Sequence, residues 1–247
     1  MNSRITKVFL DSRYSRDGST FDLHNAGIVI NPDSRMWLSE FTCPAAWDTI
    51  DSSNDSLLVV DGDPLAERLL TIPRGAHDLE SLREALETEL NSTSFGTYTV
   101  NLTSVGDSGS THRSFVVENT LAFAIVNGDS RSTLTSIVNF PGASVAGTSH
   151  KSSFIDIRRT HSIYVNAPAF GSYSSYGVRG GRNIIAKIPV LVGYAGVVHY
   201  QGTASEHDCV TVGVHSISSI TLELQDAAGL SLDLNDASWS ATLIFEN

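Results

Sequence analysis

The sequence has few cysteines and no long apolar run. Cys43 and Cys209 are the two cysteines in 247 residues, too few for a disulfide framework and without the spacing of a zinc site. This count favours two reduced thiols and leaves a single disulfide as the alternative. No apolar run approaches the ~20 residues that cross a bilayer, and residues 1–7 lack the apolar stretch of a secretory signal. We therefore expect no membrane span and no secretion by a signal peptide.

Charged residues are also scarce, and those present are mostly acidic. They make up 17% of the chain, against about 25% in an average soluble domain. Asp and Glu number 27 and Lys and Arg number 16, which gives a net charge of −11. Because binding to nucleic acid relies on a cationic surface that releases counterions, we expect no direct nucleic-acid binding. A hydrophobic content of 41% excludes a disordered chain.

What the sequence does contain is a succession of short β-forming segments separated by Gly, Asn, Asp and Ser. Many of them alternate apolar with polar residues, the period of a half-buried strand; Thr221–Leu224 and Ser240–Phe245 are clear cases. Many short strands at this spacing are typical of a sandwich or barrel. The sequence predicts an all-β fold, either a sandwich of two antiparallel sheets or a barrel.

One segment departs from the strand pattern. Leucines recur at helical intervals from Leu79 to Leu90, and Asp78 before them is a favourable N-cap. This predicts one short helix over about 79–90, lying as a connection across one end of the sandwich. Residues 142–153 and 171–182 are rich in Gly, Ser and Tyr and predict long loops. No linker divides the chain, so we expect a single domain over 1–247.

Two stretches resemble catalytic sequences without completing them. Gly106–Gly109 is similar to the nucleophile stretch of chymotrypsin-like serine proteases, but no upstream histidine has the surroundings that the mechanism needs, which favours a hairpin turn. Glu206 and Asp208 could form the carboxylate pair of a sandwich-type hydrolase, although nothing specifies their separation. The sequence holds no convincing catalytic set, and we expect a protein that is not an enzyme.

Candidate metal ligands are scattered in the same way. His199, His207 and His215 fall eight residues apart, whereas zinc sites on strands or helices usually include a close pair. The carboxylates of Asp51–Asp55 and Asp61–Asp63 could bind calcium, but neither run continues into a twelve-residue loop with a closing Glu. We interpret these residues as loop histidines and surface turns, and we expect no metal and no cofactor.

Basic residues concentrate in a few places, and we take them as candidate partner-binding residues. They could meet an acidic neighbouring protein, while the bland alternative for 177–182 is an exposed flexible loop. The candidates lie near the start of the chain and in the second long loop: Arg4, Lys7, Arg13, Arg16, Arg179 and Arg182.

Four groups of residues, taken in order, carry a family resemblance. They are Phe9–Arg13 with Phe21–Leu23; the strand Met36–Thr42 running into Pro44 and Trp47; the Ile72-Pro73-Arg74-Gly75 element before the helix; and Asn183–Val190 followed by Ile217–Leu224, Asp226, Gly229 and Trp239–Phe245. This succession resembles the penton-type minor capsid proteins of virophages, Polinton-like viruses and related double-stranded DNA viruses. The resemblance spans about residues 5–75 and 183–247, and the middle third matches loosely.

The resemblance implies a single jelly roll and a structural role in a virion. Such a subunit would form a homopentamer that closes an icosahedral five-fold vertex, contact the capsomers of the major capsid protein around it, and assemble inside the host cell. Residues 1–17 would then be an N-terminal arm that anchors the subunit to a neighbouring capsomer or to the inner shell. Because jelly rolls are also common in lectins, the alternative function is a receptor- or carbohydrate-binding module, as in a fibre head.

Overall fold

The computed structural model describes residues 5–23, 27–31, 33–62, 64–92, 96–105, 112–141, 145–153, 155–170, 183–202, 209–213 and 216–246. The first half holds nine strands and a helix: β1 (Ile5–Asp11), β2 (Thr20–Asp22), β3 (Ile28–Val29), β4 (Arg35–Pro44), β5 (Ser56–Asp61), β6 (Ala66–Thr71), α1 (Leu79–Ser92), β7 (Tyr98–Val105), β8 (His112–Ile125) and β9 (Gly147–Lys151). The second half holds β10 (Ser162–Asn166), β11 (Ile184–Pro189), β12 (Val197–Gln201), β13 (Val210–Thr211), β14 (Ser216–Ile217), β15 (Ser219–Thr221), β16 (Glu223–Gln225) and β17 (Ser240–Glu246).

Contacts between Cα atoms gather the chain into two compact units. The first, which we call the discontinuous unit, comprises Met1–Trp47 and Thr160–Asn247. The second, the inserted unit, comprises Asp48–Arg159. Each has its own cluster of buried apolar side chains. That the whole of 1–247 forms one domain stays a prediction, and each unit is described by itself.

The discontinuous unit is a jelly roll. One sheet has the order β1–β17–β4–β12, with β13 also paired to β4; we call it the BIDG sheet, with β1 as strand B, β17 as I, β4 as D and β12 as G. The segment 216–225 is broken into β14, β15 and β16, which pair with β3, β2 and β10 respectively, and β10 pairs with β11. These three groups of paired strands contribute to the same core, and we refer to them together as the CHEF sheet, with β2 and β3 as strand C, β14–β16 as H, β10 as E and β11 as F. All pairings are antiparallel, and the prediction of an all-β jelly roll is confirmed.

Alternation along the strands explains how the two sheets bury one core. In β1, Val8 and Leu10 point inward, and in its neighbour β17 the inward residues are Ala241, Leu243 and Phe245. Each of these side chains is buried, and a fully buried Leu or Phe contributes about 1.5–3 kcal/mol relative to an exposed one. The register from Ile5 opposite Glu246 to Asp11 opposite Ser240 is uninterrupted, so the two ends of the chain form one ladder.

The inserted unit is a sheet covered by the single helix. Its strand order is β6–β5–β8–β7, with β9 paired to β8. The helix prediction is confirmed: the Ser81 amide donates to Asp78 Oδ1 at 2.8 Å, and Ser81 Oγ accepts from the Asp78 amide at 2.9 Å, a reciprocal cap. Leu82, Leu86 and Leu90 are buried in the inserted unit's core, and the expected position of the helix across one end of the sandwich stays a prediction.

Two further expectations need correction. Residues 5–11 of the predicted arm 1–17 form β1, a strand of the BIDG sheet, because Val8 and Leu10 belong to the core. Part of the predicted loop 142–153 is also a strand, since Gly147–Lys151 pairs with β8; its side chains are polar because most of them are exposed. The other predicted loop, 171–182, lies outside the described residues.

Candidate assembly surfaces of the jelly-roll unit

The N-terminal bases lie on and just after β1, and two of them are already paired with carboxylates. The Arg13 guanidinium donates to Asp11 through Nε at 3.0 Å and Nη2 at 2.6 Å, and Arg16 Nη2 lies 2.6 Å from Asp22. The hydrogen bonds from Arg13 lower the pKa of Asp11, and those to Asp11 raise the pKa of Arg13. Both arginines are exposed, so solvent screens these pairs and they add little to stability, while they neutralise the local charge.

The remaining candidate bases differ in what can be said of them. Lys7 is exposed in the middle of β1, and it has no ion-pair partner among the residues that the structure describes. Arg4, Arg179 and Arg182 lie outside the described residues. The predicted basic patch therefore reduces, within the described chain, to one unpaired lysine beside two arginine–aspartate pairs, and a partner-binding role for these residues stays a prediction.

The outer face of the BIDG sheet is unusually apolar. Because Val8 and Leu10 point into the core, Ile5, Lys7 and Phe9 point outward, and Phe9 is 76% and Ile5 56% exposed. On the central strands, Ile244 and Trp37 lie opposite each other and alternate with core residues; both are buried, although neither belongs to the jelly-roll core. A strand with apolar residues on both faces is typical of a sheet that is covered on both sides.

A shallow groove crosses this outer face. Two depressions of about 310 and 320 Å³ adjoin each other, sharing Asp11 and Ser240 in their linings. Small side chains of the central strands lie along them, and larger residues of the flanking strands stand at either end. We call this the outer-face groove and define it by Phe9, Glu40, Thr42, Val197, Ser240 and Thr242.

The outer face of the CHEF sheet is polar instead. Ile163, Val165 and Leu224 of its strands point into the core, which leaves Tyr164 and Gln225 opposite each other on the outside. These polar groups have partners within the sheet. Lys187 Nζ lies 5.8 Å from the centroid of the Tyr164 ring, and Gln225 Nε2 donates to Glu223 Oε2 at 3.1 Å. The outer face of the CHEF sheet is therefore polar along β10 and β16, whereas the outer face of the BIDG sheet is apolar.

A larger polar groove lies where the turn after β1 meets the loop before β17. It encloses about 1010 Å³ and is lined by residues of 12–19 and 222–239. Asp226 Oδ1 fixes the loop by accepting from the amides of Ala228 at 2.8 Å and Leu230 at 2.9 Å. Asp17 Oδ1 accepts from the amides of Ser19 at 3.0 Å and Thr20 at 2.7 Å, and these hydrogen bonds lower its pKa to about 2. Carboxylates therefore shape both walls.

Most of the candidate catalytic and metal-binding residues lie outside the described residues. The stretch 106–111 lies outside the described residues, between the paired strands β7 and β8. His207, His215, Glu206 and Asp208 also lie outside them, whereas His199 is exposed with its Nδ1 3.2 Å from Thr42 Oγ1. Across the described ranges, no group of three or more His, Cys, Asp or Glu residues could hold a metal ion, and no helix is long and apolar enough to cross a membrane.

The carboxylates considered for calcium bind arginines of the inserted unit. Asp51 is paired with Arg159. Asp55 Oδ2 accepts from Arg74 Nε at 2.9 Å, and hydrogen bonds from Ser56 and Arg74 lower its pKa. Asp61 is buried and lies 2.6 Å from Arg68 Nη2. The neighbouring residue Asp63 lies outside the described residues.

The two cysteines form no disulfide. Cys43 points into the jelly-roll core from β4, and burial raises the pKa of its thiol to about 12. A thiol with so high a pKa carries almost no thiolate at neutral pH and is unreactive. Cys209 is partly exposed. Cys43 therefore packs as a small apolar side chain.

Comparison with solved structures bears on the fold. The chain is similar to the crystal structure of the mavirus penton protein with a TM-score of 0.61, and the match covers 100% of this chain and 99% of that one at 9% sequence identity. The chain has a penton-protein fold. No family model matches the sequence, and no curated protein matches it either.

This similarity confirms the fold that the sequence resemblance implied. It also covers the middle third, where the sequence matched loosely, because the structural match extends over the whole chain. Sequence reasoning missed the apolar outer face of the BIDG sheet. A signal was present at the end of Ser240–Phe245, where the alternation stops and Leu243, Ile244 and Phe245 follow one another; an apolar run of this kind indicates a strand covered on both faces.

Proposed function

We propose that this chain is a structural capsid protein: a penton-type minor capsid subunit, five copies of which close each five-fold vertex of an icosahedral virion. The observation that supports this most directly is the end-to-end similarity to the mavirus penton protein, which leaves almost no part of either chain unmatched. A jelly roll alone would be weak support, because the fold serves many functions. A match that includes the inserted unit is more specific than one to a jelly roll.

The physical character of the chain suits such a role. A closed ring of identical subunits uses two different patches of each subunit, which meet heterologously. The unlike outer faces of the two sheets provide such a pair of patches. We propose that the subunit is not an enzyme, that its partners are its own copies and the capsomers of the major capsid protein, and that residues 1–17 contribute to anchoring. Its location would be the virion, assembled inside the host cell.

Imaging of the purified full-length chain tests this proposal. Negative-stain electron microscopy and mass photometry at several concentrations should show rings of five subunits. Coexpression with a major capsid protein should then place the chain at particle vertices, and particles made without it should lack density there. Monomers at every concentration, or trimers, would contradict the proposal. A variant with all three substitutions Asp61→Asn, Arg68→Met and Trp239→Ala, expected to unfold, serves as the negative control.

A carbohydrate-binding module is the second candidate, and one observation favours it. The polar groove of about 1010 Å³ carries Asp, Ser and Glu side chains that could bind hydroxyl groups, and Tyr194 is exposed elsewhere in the same unit. A glycan array with the full chain distinguishes the two functions. Specific binding that is lost in Asp233→Ala, from a chain that forms no rings, would support the carbohydrate-binding module over the penton.

A further inference from the structure

The outer face of the BIDG sheet has features that a solvent-facing sheet does not need. Antiparallel sheets with one wet face usually alternate apolar-in and polar-out, as β10 and β16 of the CHEF sheet do. On the BIDG sheet, Phe9, Ile5 and Val197 are instead 76%, 56% and 59% exposed. Phe9 and Val197 stand at opposite ends of the outer-face groove. Apolar side chains on both margins of a concave surface are typical of a binding site for another macromolecule.

The edge of the same sheet is open. β1 is the last strand on its side, with no other strand paired to its free edge among the described residues. Proteins usually protect such an edge with proline, a bulge or several charges. β1 has no proline, its register with β17 shows no bulge over seven residue pairs, and Lys7 is its one outward base. The edge and the exposed Phe9 and Ile5 therefore belong to one accessible surface.

The charge of this face indicates what kind of partner fits it. Its outward residues include three bases and three acids, and most of them pair with each other: Arg13 with Asp11, and Arg35 with Glu246 at 2.8 Å. Lys7 and Glu40 complete the balance, so the face is neutral in a chain whose net charge is −11. Two copies of an acidic chain repel each other, and repulsion is least where a face carries no net charge.

We propose that the outer face of the BIDG sheet, centred on the outer-face groove, is the surface on which a second copy of this chain docks. The proposal rests on the proposed function, since a closed ring gives each subunit two neighbours of its own kind. It goes further by naming the face, its apolar anchors Phe9 and Val197, and its open edge β1. The partner copy carries the same net negative charge, and it would cover Phe9 and Val197 and exclude water from them.

Substitution of the apolar anchors tests the docking face. Phe9→Ser and Val197→Ser remove exposed side chains, and surface changes of this kind shift stability by about 0.5 kcal/mol or less, so both variants should fold. Burial of an aromatic anchor at an interface centre makes it a hot spot, and Phe9→Ser should weaken self-association about tenfold or more by sedimentation velocity. Val145→Ser is the matched control: Val145 is 74% exposed and belongs to the inserted unit, outside both jelly-roll faces, so its loss should change self-association less than twofold.

Hydroxyl-radical footprinting of the wild-type chain gives a test without any variant. Oxidation of Phe9 should fall when the chain is concentrated enough to associate, while oxidation of Tyr14, which is exposed just beyond β1, reports the general radical dose. Equal oxidation of Phe9 at low and high concentration overturns the proposal. Protection that appears only after a major capsid protein is added also overturns it, because the occupant would then be that protein.

The outcomes separate this inference from the proposed function. Rings of five that Phe9→Ser leaves intact overturn the docking face and leave the penton role standing. Dimers that Phe9→Ser dissociates support the docking face and contradict a five-fold ring. A wild-type chain that stays monomeric at every concentration overturns both.

Discussion

The indole ring of Trp239 meets the ring of Phe21 edge to face, with centroids 5.5 Å apart and planes at 80°. Phe21 lies in β2 of the CHEF sheet. The same indole lies 5.9 Å from Phe41 of β4, in the BIDG sheet. One side chain thus contacts aromatic residues of both sheets, immediately before the last strand. The Trp239 backbone is held by Ser12, whose amide donates to its carbonyl at 2.9 Å and whose Oγ accepts from its amide at 2.9 Å.

Replacement of this indole should destabilise the jelly roll strongly. Trp239→Ala removes both aromatic contacts and leaves a cavity between the sheets, which typically costs about 3–5 kcal/mol of the free energy of unfolding. Urea unfolding followed by fluorescence and circular dichroism measures the change. Tyr14→Ala is the control, because Tyr14 is 82% exposed and its loss should cost about 0.5 kcal/mol or less. Similar losses in the two variants would contradict the packing described.

Deletion of the N-terminal segment should have two different effects depending on its length. Removal of residues 1–11 deletes β1 and with it the buried Val8 and Leu10, each worth about 1.5–3 kcal/mol, so the chain should lose most of its stability. Removal of residues 1–4 spares β1 and should leave a folded chain. Thermal unfolding compares the two deletions. If the longer deletion melts like the full chain, β1 is not an integral strand.

The buried ion pair of the inserted unit should be sensitive to loss of its base. Arg68 Nη2 lies 2.6 Å from Asp61 Oδ2, and the Tyr98 hydroxyl donates to the same oxygen at 2.7 Å. Arg68→Met leaves the Asp61 carboxylate buried without its cation and should cost about 3 kcal/mol, the lower end of the range for buried pairs, since Arg68 keeps some solvent access. Arg13→Met, which breaks an exposed pair that solvent screens, should lower the free energy of unfolding far less. Denaturant unfolding of both variants measures the two losses, and equal losses would contradict the buried pair.

The turn between β1 and β2 should give a stability that depends on acid. Hydrogen bonds from Ser19 and Thr20 lower the pKa of Asp17 to about 2, whereas a free aspartate titrates near ~3.9. The lowered pKa means that the stabilisation is complete above about pH 4 and is lost as the pH falls towards 2. The difference in melting temperature between wild type and Asp17→Ala should therefore shrink over that interval. Asp17→Asn is the control, because its side chain keeps an acceptor oxygen but does not titrate. If the melting temperatures of wild type and Asp17→Ala differ by the same amount at every pH, the prediction is contradicted.

Local patterns in the sequence were enough to predict the helix and most strands. The helix is signalled by leucines three or four residues apart and by the Asp78 cap directly before them, so its pattern is local. In the strands with clear alternation, every second residue is buried. Pairing of Ile5 with Glu246 joins the two ends of the chain, and no local pattern carries that information. β9 was missed for a related reason, because a polar strand at the edge of a sheet has no apolar alternation to reveal it.

The candidate site was predictable only in part. The bases Lys7, Arg13 and Arg16 were found, but their net effect depends on Asp11 and Asp22, whose carboxylates meet the two arginines after the chain turns. The division into two units could not be predicted from the sequence, since the segments around Trp47 and Arg159 lack the composition of a linker. The sequence alone does not show that Phe9 is exposed. That follows only from the pairing of β1 with β17, which turns Val8 and Leu10 towards the core and Phe9 outward.

The insertion of residues 48–159 between β4 and β10 has a consequence for how the chain can change. The two clusters of buried apolar side chains have no residue in common, and all strands of the two jelly-roll sheets are drawn from the flanking segments. Substitutions that repack the inserted unit therefore leave the jelly-roll core residues untouched. The sequence of one cluster can therefore change without changing any residue of the other. Replacing the inserted unit with a foreign segment is a natural route to decorating the jelly roll.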